Sequence, residues 1–378
     1  MEFSKLKLMT VVGTRPELIR LSETIKKADK YFQHLFVHTG QNYDPRLNDI
    51  FYTDLGLRKP DYYLGVAGST PGESIGNIIA KSYEVMKKEE PDALLILGDT
   101  NSALCAIAAK RLKIPIFHME AGNRCFDENL PEETNRRIVD HIADVNLPYT
   151  EHARRYLLNE GVCKEHIYVT GSPMREIIEA HKDAIDNSNV LKELGLITGK
   201  YIVLSSHREE NIDHEEHFKG LMEAVNVMAE TYNMPVIYSV HPRSAKFISL
   251  RNFKFHPLVR NMPPFSFTDY SALMKNAYCV VSDSGTMPEE AAIEHFPGVC
   301  IRTSTERPES LDKGCYVLGG ITRDSILQAV NMAVGMAECG EFGEDVLDYT
   351  AGNVSSIVLR LIQSYVPIIN DKVWRKNG

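Results

Sequence analysis

Short apolar runs alternate with longer amphipathic stretches along the whole of this chain. In the first half the apolar runs fall at residues 6–12, 34–38, 93–97, 114–118, 145–147 and 167–169. They are short and apolar throughout, as strands of a parallel sheet buried on both faces are. Helical periodicity fills the gaps near residues 16–28, 72–88, 102–111, 132–142 and 151–160. The second half repeats the scheme. Its strands are expected near 201–204, 236–239, 259–260, 278–281 and 298–301, and its helices near 215–232, 269–275, 288–295 and 323–337. Such alternation predicts an α/β chain of two Rossmann-like domains, each a doubly wound parallel sheet. The break falls around Gly171-Ser172-Pro173, giving a first domain over 1–171 and a second over 172–353. The last helical pattern starts at Val354, and residues 354–378 are expected to pack back on the first domain.

Composition narrows the function. A chain of 378 residues is too long for one ordinary core. Its 43% apolar and 25% charged content is that of an average globular protein, so either half can bury its own core. A net charge of −9 without a Lys/Arg block argues against a nucleic-acid partner. The opening MEFSKLKLMTVVG is too short for a membrane span and has no signal-peptide cleavage pattern, so it reads as a first core strand in a cytoplasmic protein without a membrane partner. The seven cysteines are odd in number and lack a CxxC pair, as reduced and mostly buried thiols would be. Cys125 differs in sitting inside a charged loop. His214-Glu215-Glu216-His217 is not HExxH and reads as an exposed first helical turn, and no metal site is expected. The methionines between Met332 and Met336 stand at helical spacing and read as core.

Polar residues gather where strands end, the edge at which open α/β sheets bind ligands. After 114–117 comes HMEAGNRCFDENLPEETNRR, with Glu120, Arg124, Asp127, Glu132, Glu133, Arg136 and Arg137 close in sequence. Carboxylates and guanidiniums at a sheet edge suit proton transfer beside an anionic substrate. Gly13-Thr14-Arg15-Pro16-Glu17 ends the first strand; Gly13 permits close backbone approach, and Arg15 can fork onto a phosphate. Asp99 follows the strand over 93–97 and reads, taken alone, as a helix N-cap. Neither GxGxxG nor GxxxxGK[ST] is present. In the second half Ser282-Asp283-Ser284-Gly285-Thr286 leads into a helix with Glu290, where free N–H groups suit a pyrophosphate and the acid suits a ribose. His207-Arg208, His241-Pro242-Arg243 and Glu306-Arg307 follow three more strands.

Together GTRPE (13–17), GDT (98–100), HMEAGNR (118–124), PEETNRR (131–137), HREEN (207–211), DSGTMPEEA (283–291) and ERPE (306–309) resemble the non-hydrolysing UDP-N-acetylglucosamine 2-epimerase family across nearly the whole chain. The resemblance implies the GT-B arrangement, two Rossmann-like domains facing a central cleft. It also implies a homodimer, no added cofactor, and a UDP-linked 2-acetamido sugar as substrate. The implied reaction is elimination of UDP to a 2-acetamidoglycal followed by re-addition with C2 inverted. By motif, Asp99, Glu120 and Glu132 are the acid/base candidates, with His207 beside them. Arg15, His207, Ser284, Gly285 and Thr286 would hold the diphosphate and Glu290 the ribose; Arg136 and Arg307 would support sugar or phosphate. Three positions depart from the usual family pattern: Arg20 stands for Lys, Asn123 for the Leu of EAGLR, and Glu209 for a second Arg. The last removes positive charge, which argues against the extra UDP-GlcNAc regulatory site of some bacterial members. EAGNRCFD with HREEN is similar to the subgroup that converts UDP-2-acetamido-2,6-dideoxy-L-talose to UDP-N-acetyl-L-fucosamine for surface polysaccharide. The alternatives are UDP-GlcNAc to UDP-ManNAc epimerisation, a GT-B glycosyltransferase and a non-catalytic nucleotide-sugar sensor.

Overall fold

The structure is a computed structural model and describes residues 4–41 and 52–376, without the side chains of Glu209, Glu210 and Pro242. Glu209, the acid that replaces an arginine, therefore lies outside the described side chains. The apolar runs form two six-stranded sheets, parallel throughout.

In the first unit the strands are β1 (Lys7–Val12), β2 (Gln33–His38), β3 (Tyr62–Tyr63), β4 (Ala93–Leu97), β5 (Ile116–Met119) and β6 (Val145–Leu147), in the order β3-β2-β1-β4-β5-β6. Helices α1 (Arg15–Tyr31), α2 (Pro71–Glu89), α3 (Ala106–Arg111), α4 (Pro131–Ile142), α5 (Glu151–Asn159) and α6 (Met174–Ala180) follow the chain between and after them. One sheet face buries Met9, Val11, Leu94, Ile96 and Ile116 in a core with Ile78 and Met86 of α2. β5 begins after Pro115, which has no N–H for the ladder although its carbonyl accepts from Leu94 N. The run at 167–169 contributes only an isolated bridge, Asn146 to Ile167.

The second unit carries β7 (Ile202–Ser205), β8 (Val236–Ser239), β9 (Val259–Met262), β10 (Cys279–Ser282), β11 (Gly298–Cys300) and β12 (Val317–Leu318), in the order β12-β11-β10-β7-β8-β9. Its helices are α7 (Lys182–Asp186), α8 (Val190–Glu193), α9 (Glu209–Ile212), α10 (Glu215–Tyr232), α11 (Pro242–Leu250), α12 (Phe267–Lys275), α13 (Met287–Glu294), α14 (Pro308–Asp312) and α15 (Arg323–Glu338). α15 buries Ile326, Ala329, Val330, Ala333 and Val334. Met332 and Met336 are 57% and 40% exposed, so the expectation that they belong to the core is corrected: they lie off the buried stripe of α15. Cys105, Cys125, Cys279 and Cys300 are buried, while Cys163 and Cys339 are exposed.

The chain divides at 180/181 and again at 347/348, where the sequence suggested 171/172 and 353/354. The difference has a local cause. Ser172 N donates to Asp348 O at 3.1 Å, and Glu151 N to Asp348 Oδ2 at 3.1 Å, which ties both flanks to the first unit. α16 (Val354–Lys372) then lies on α1, burying Val354, Val358, Ile362, Val366 and Ile369. Among the described residues no helix is long and apolar enough to cross a membrane.

Glu176 of α6 fixes the start of α16: it accepts from Ser355 N at 2.8 Å and from Ser355 Oγ, and pairs with Lys27 Nζ of α1 at 2.9 Å. A carboxylate at a helix N-terminus is favourable for the free N–H groups and the dipole alike. Glu176→Ala is expected to cost about 2 kcal/mol and to lower the melting temperature by roughly 5 °C. Glu176→Gln, which keeps an acceptor for Ser355, is expected to lose less. Equal melting of Glu176→Ala and the parent chain would refute this assignment.

Candidate active site

The strand order of the first unit runs away from β1 on one side and from β4 on the other, so the loops after these two strands flank the switch point where α/β sheets hold ligands. Gly13 follows β1. A Cβ there would collide with Ser102 Oγ, Thr39 Oγ1 and Gln41 Nε2, so only glycine fits. Glu17, in the first turn of α1, folds back and accepts from Gly13 N at 3.1 Å and Thr14 Oγ1 at 2.7 Å. Its other oxygen is buried without a hydrogen bond. Burial outweighs the hydrogen bonds and pushes its pKa up from 4.5 to about 7. Arg15 stands exposed at the start of the same helix.

Asp99 and Glu120 leave adjacent strands, whose last residues Leu97 and Met119 are paired. Asp99 is not a cap, contrary to the simplest expectation: Thr100 Oγ1 accepts from Ser102 N and caps the short 3-10 turn Asn101–Cys105. That leaves the Asp99 carboxylate for Arg136, whose Nε lies 2.6 Å from Oδ2. The same guanidinium reaches Glu133 Oε2 at 2.9 Å, an oxygen that also accepts from Cys125 N at 3.2 Å. Glu133 is fully buried, whereas Glu132, the expected acid/base candidate, is half-buried in the first turn of α4.

Glu120 adopts a left-handed backbone, φ 62°. A non-glycine residue there stores strain on the order of 1–3 kcal/mol, a feature that gathers at functional sites. Its N–H donates to Leu147 O at 3.1 Å. Its Oε2 pairs with Arg20 Nη1, and its Oε1 accepts from Asn123 Nδ2 at 3.0 Å. Gly98, just before Asp99, also has a left-handed backbone, φ 70°, which favours glycine there. Arg20 and Asn123, two of the three positions at which the resemblance departs from its expected pattern, both hold this one carboxylate.

In the second unit β7 and β10 flank the equivalent switch point. Asp283, after β10, is fully buried and organises the loop after β7. It accepts from His207 N at 2.9 Å, Arg208 N at 3.0 Å, Ser206 Oγ at 3.0 Å and Asn211 Nδ2 at 3.0 Å. Burial by itself would raise its pKa; the His207 and Arg208 charges and these donors outweigh it and hold the carboxylate below its ordinary range. The His207 side chain remains 41% exposed, with Nδ1 at 3.2 Å from Asp283. Ser284 and Thr286 join through their hydroxyls at 2.8 Å just ahead of α13. A Cβ on Gly285 would approach Glu306 Oε2 to 3.1 Å. Glu290 is 7% exposed in the first turn of α13. Arg307, expected on the ligand side, is buried with Nε 2.6 Å from Glu289 Oε1.

Asp99 and Glu120 thus follow adjacent strands, with Arg136 on Asp99. Arg15 follows β1, and Glu132 lies in the first turn of α4. His207 and residues 284–290 follow β7 and β10 of the second unit. Sequence reasoning missed Glu133, Asp140 and Asp283 as organisers. Glu133, Arg136 and Asp140 recur at helical spacing on α4, a signal that they share a face. Among the described residues no cluster of His, Cys, Asp or Glu is placed to hold a metal.

Glu17 makes stability depend on pH. The folded chain holds its proton more tightly than the unfolded chain. Its contribution is therefore largest below pH 4.5 and falls away as the pH rises through about 7. The loss is on the order of 3 kcal/mol. Glu17→Gln removes this dependence, so its stability relative to the parent chain is expected to improve across that window. Denaturant unfolding of both chains across the window checks this; a constant difference would show that Glu17 does not titrate there.

The description "UDP-N-acetylglucosamine 2-epimerase" matches residues 24–363 of the chain. A solved structure of UDP-N-acetylglucosamine 2-epimerase from Rickettsia bellii is 45% identical with a TM-score of 0.89, over 98% of this chain and 99% of that one. The Methanocaldococcus jannaschii UDP-GlcNAc 2-epimerase, solved in complex with UDP-GlcNAc and UDP, is 32% identical with a TM-score of 0.89, over 95% of this chain and 100% of that one. A Pseudomonas aeruginosa UDP-2,3-diacetamido-2,3-dideoxy-D-glucuronate 2-epimerase is 32% identical, over 87% of this chain and 93% of its own length. With two parallel Rossmann-like sheets and this extent of likeness, the chain belongs to the UDP-N-acetylglucosamine 2-epimerase family and is an isomerase.

Proposed function

We propose that the chain inverts C2 of UDP-2-acetamido-2,6-dideoxy-L-talose to give UDP-N-acetyl-L-fucosamine. The C2 proton is not next to a carbonyl, so direct removal is very difficult. Loss of that proton together with the C1–O bond avoids the difficulty. The electron pair of C2–H becomes the C1=C2 bond of a 2-acetamidoglycal, and the C1–O pair leaves with the β-phosphate of UDP. Re-addition reverses both events with the proton delivered to the opposite face of C2. Nothing is oxidised or reduced. Glu120 and Asp99 carry the two proton transfers, one on each face. His207, Arg15 and the amides of residues 284–286 hold UDP as leaving group and returning nucleophile, and Glu290 holds the ribose.

The observation that carries the choice of sugar is the mount of Glu120. Arg20 and Asn123 stand where the resemblance implies Lys and Leu, and both grip this carboxylate. A sugar of the L series presents C2–H to a base differently from a D sugar held through the same UDP, and its base needs a different mount. The Pseudomonas aeruginosa relative is named for a third UDP-sugar, which supports variation of the sugar around constant C2 chemistry. The second reading is UDP-GlcNAc to UDP-ManNAc epimerisation, favoured by the names of the Rickettsia and Methanocaldococcus proteins.

Proton NMR of each UDP-sugar with the chain in D₂O tests the choice. The L-talose compound is expected to give a new UDP-linked anomeric signal with deuterium entering C2, and UDP-GlcNAc to react at least roughly tenfold more slowly. The reverse ranking would replace the proposal by the second reading. Inertness toward both sugars in a UDP-binding sample would point to glycosyl transfer. Glu120→Gln is expected to lose about 10²-fold or more in turnover while calorimetry shows UDP binding unchanged; retained turnover would remove Glu120 from the chemistry.

A further inference from the structure

We propose that Asp140, near the end of α4, is the positioning residue that holds Glu120 in its strained conformation. The proposal rests on Glu120 acting as a proton-transfer group. Asp140 is 1% exposed. Its Oδ1 and Oδ2 accept from Gly122 N at 3.2 and 3.1 Å. Its Oδ2 also meets Arg124 Nη1 at 2.8 Å, and His118 Nδ1 lies 2.9 Å from Oδ1. One carboxylate therefore touches the chain two residues before Glu120, two after it and four after it. His118 extends the grip, since its Nε2 lies 2.8 Å from Gly98 O, next to Asp99. Arg124 extends it further: Nη1 donates to Asn123 O at 2.7 Å, and Nε and Nη2 fork onto Glu160 of the α5 end at 2.8 and 2.6 Å.

The loop needs such a grip. Glu120 and Gly122 both have positive φ, 62° and 78°. Gly122 presses on α5 so closely that a Cβ would come within 2.5 Å of Ala153 O. Packing thus supports the loop from one side, and Asp140 is the polar support on the other. Asp140 stays ionised for this task. Burial alone would raise its pKa, but the His118 and Arg124 contacts outweigh burial and hold it below the ordinary carboxylate range. Asn123, which donates to Glu120, is itself fixed through its carbonyl by Arg124. The line from Asp140 through Arg124 and Asn123 to the Glu120 carboxylate is continuous. A purely architectural ion pair would steady α4 and α5 without setting the direction of Glu120, and the two roles separate by measurement.

The test is Asp140→Asn in the full chain. The amide keeps the size but removes the charge and one of the two acceptors. An NH₂ in the Oδ1 place faces His118 Nδ1 and Gly122 N–H, and in the Oδ2 place it faces Arg124 and Gly122 N–H, so the anionic two-oxygen grip on the loop is lost in either orientation. On whichever UDP-sugar the parent chain turns over, kcat is expected to fall about 30- to 100-fold, the scale of a small misplacement of a reacting group. KM and the calorimetric Kd for UDP should stay within about threefold, on the view that only transition-state alignment is lost. A lowered melting temperature with kcat unchanged per UDP-binding site would overturn the proposal. If Asp140→Asn fails to fold, Arg124→Lys serves. It keeps the charge but cannot fork, and is expected to lower kcat about tenfold; unchanged kcat would likewise overturn the clamp. Hydrogen exchange does not depend on turnover. Faster exchange at the Gly122 amide in the variant that folds, with the rest of the sheet unchanged, is expected, and unchanged exchange there counts against the clamp. A parent chain inert toward both sugars would sink the proposed function alone, and the exchange result would still decide the clamp.

Discussion

Crossovers that leave β1 toward β2 on one side, and later resume at β4 on the other, force the loops after β1 and β4 apart. The candidate site residues of the first unit follow the strands beside that gap. Gly13 lets the backbone of one loop come close, and Gly98 supplies the left-handed turn that starts the other. The second unit repeats the order, and its gap between β7 and β10 gathers Ser206, His207, Asp283 and Ser284 in the same way. An open parallel sheet offers one such gap. Duplicating the topology offers two, one able to collect acids and the other able to collect donors.

The charges at these edges are held by other buried charges. Arg136 spans Asp99 and Glu133, Arg124 spans Asp140 and Glu160, and Arg307 meets Glu289. Buried ion pairs add little net stability, because desolvation offsets the attraction. Their effect here is directional. A guanidinium that forks between two carboxylates leaves each only one orientation, and the groups facing solvent inherit that order. The same logic explains why removing one partner is costly: it strands a charge that water cannot reach.

Much of this was legible in the sequence. Strands buried on both faces must be apolar throughout, so β1, β4, β7 and β10 announce themselves, and amphipathic helices such as α10 do too. The two-residue edge strands β3 and β12 do not, since two residues carry no period. Among site residues, Asp99, Glu120 and Arg136 lie at one edge because each follows or faces a strand end. The organisers were harder to see. In a sequence, an acid on an amphipathic helix reads as a solvated face, and only its phase on α4 separates Asp140 from an exposed acid. Asp283 hid inside a motif that pointed to its neighbours. Arg307 pairs with Glu289 in the first turn of α13, a contact that no spacing rule predicts.

The return of residues 348–378 to the first unit has a consequence for synthesis. A ribosome adds residues in order, and domains generally fold as units while the chain is still emerging. The first unit emerges first yet lacks α16, the helix that covers α1, until after the whole second unit, residues 181–347, has been made. The second unit is continuous and can close upon itself meanwhile. In the cell, then, the half made first is completed last, and until the final helix arrives its apolar flank on α1 is the surface a chaperone would shield.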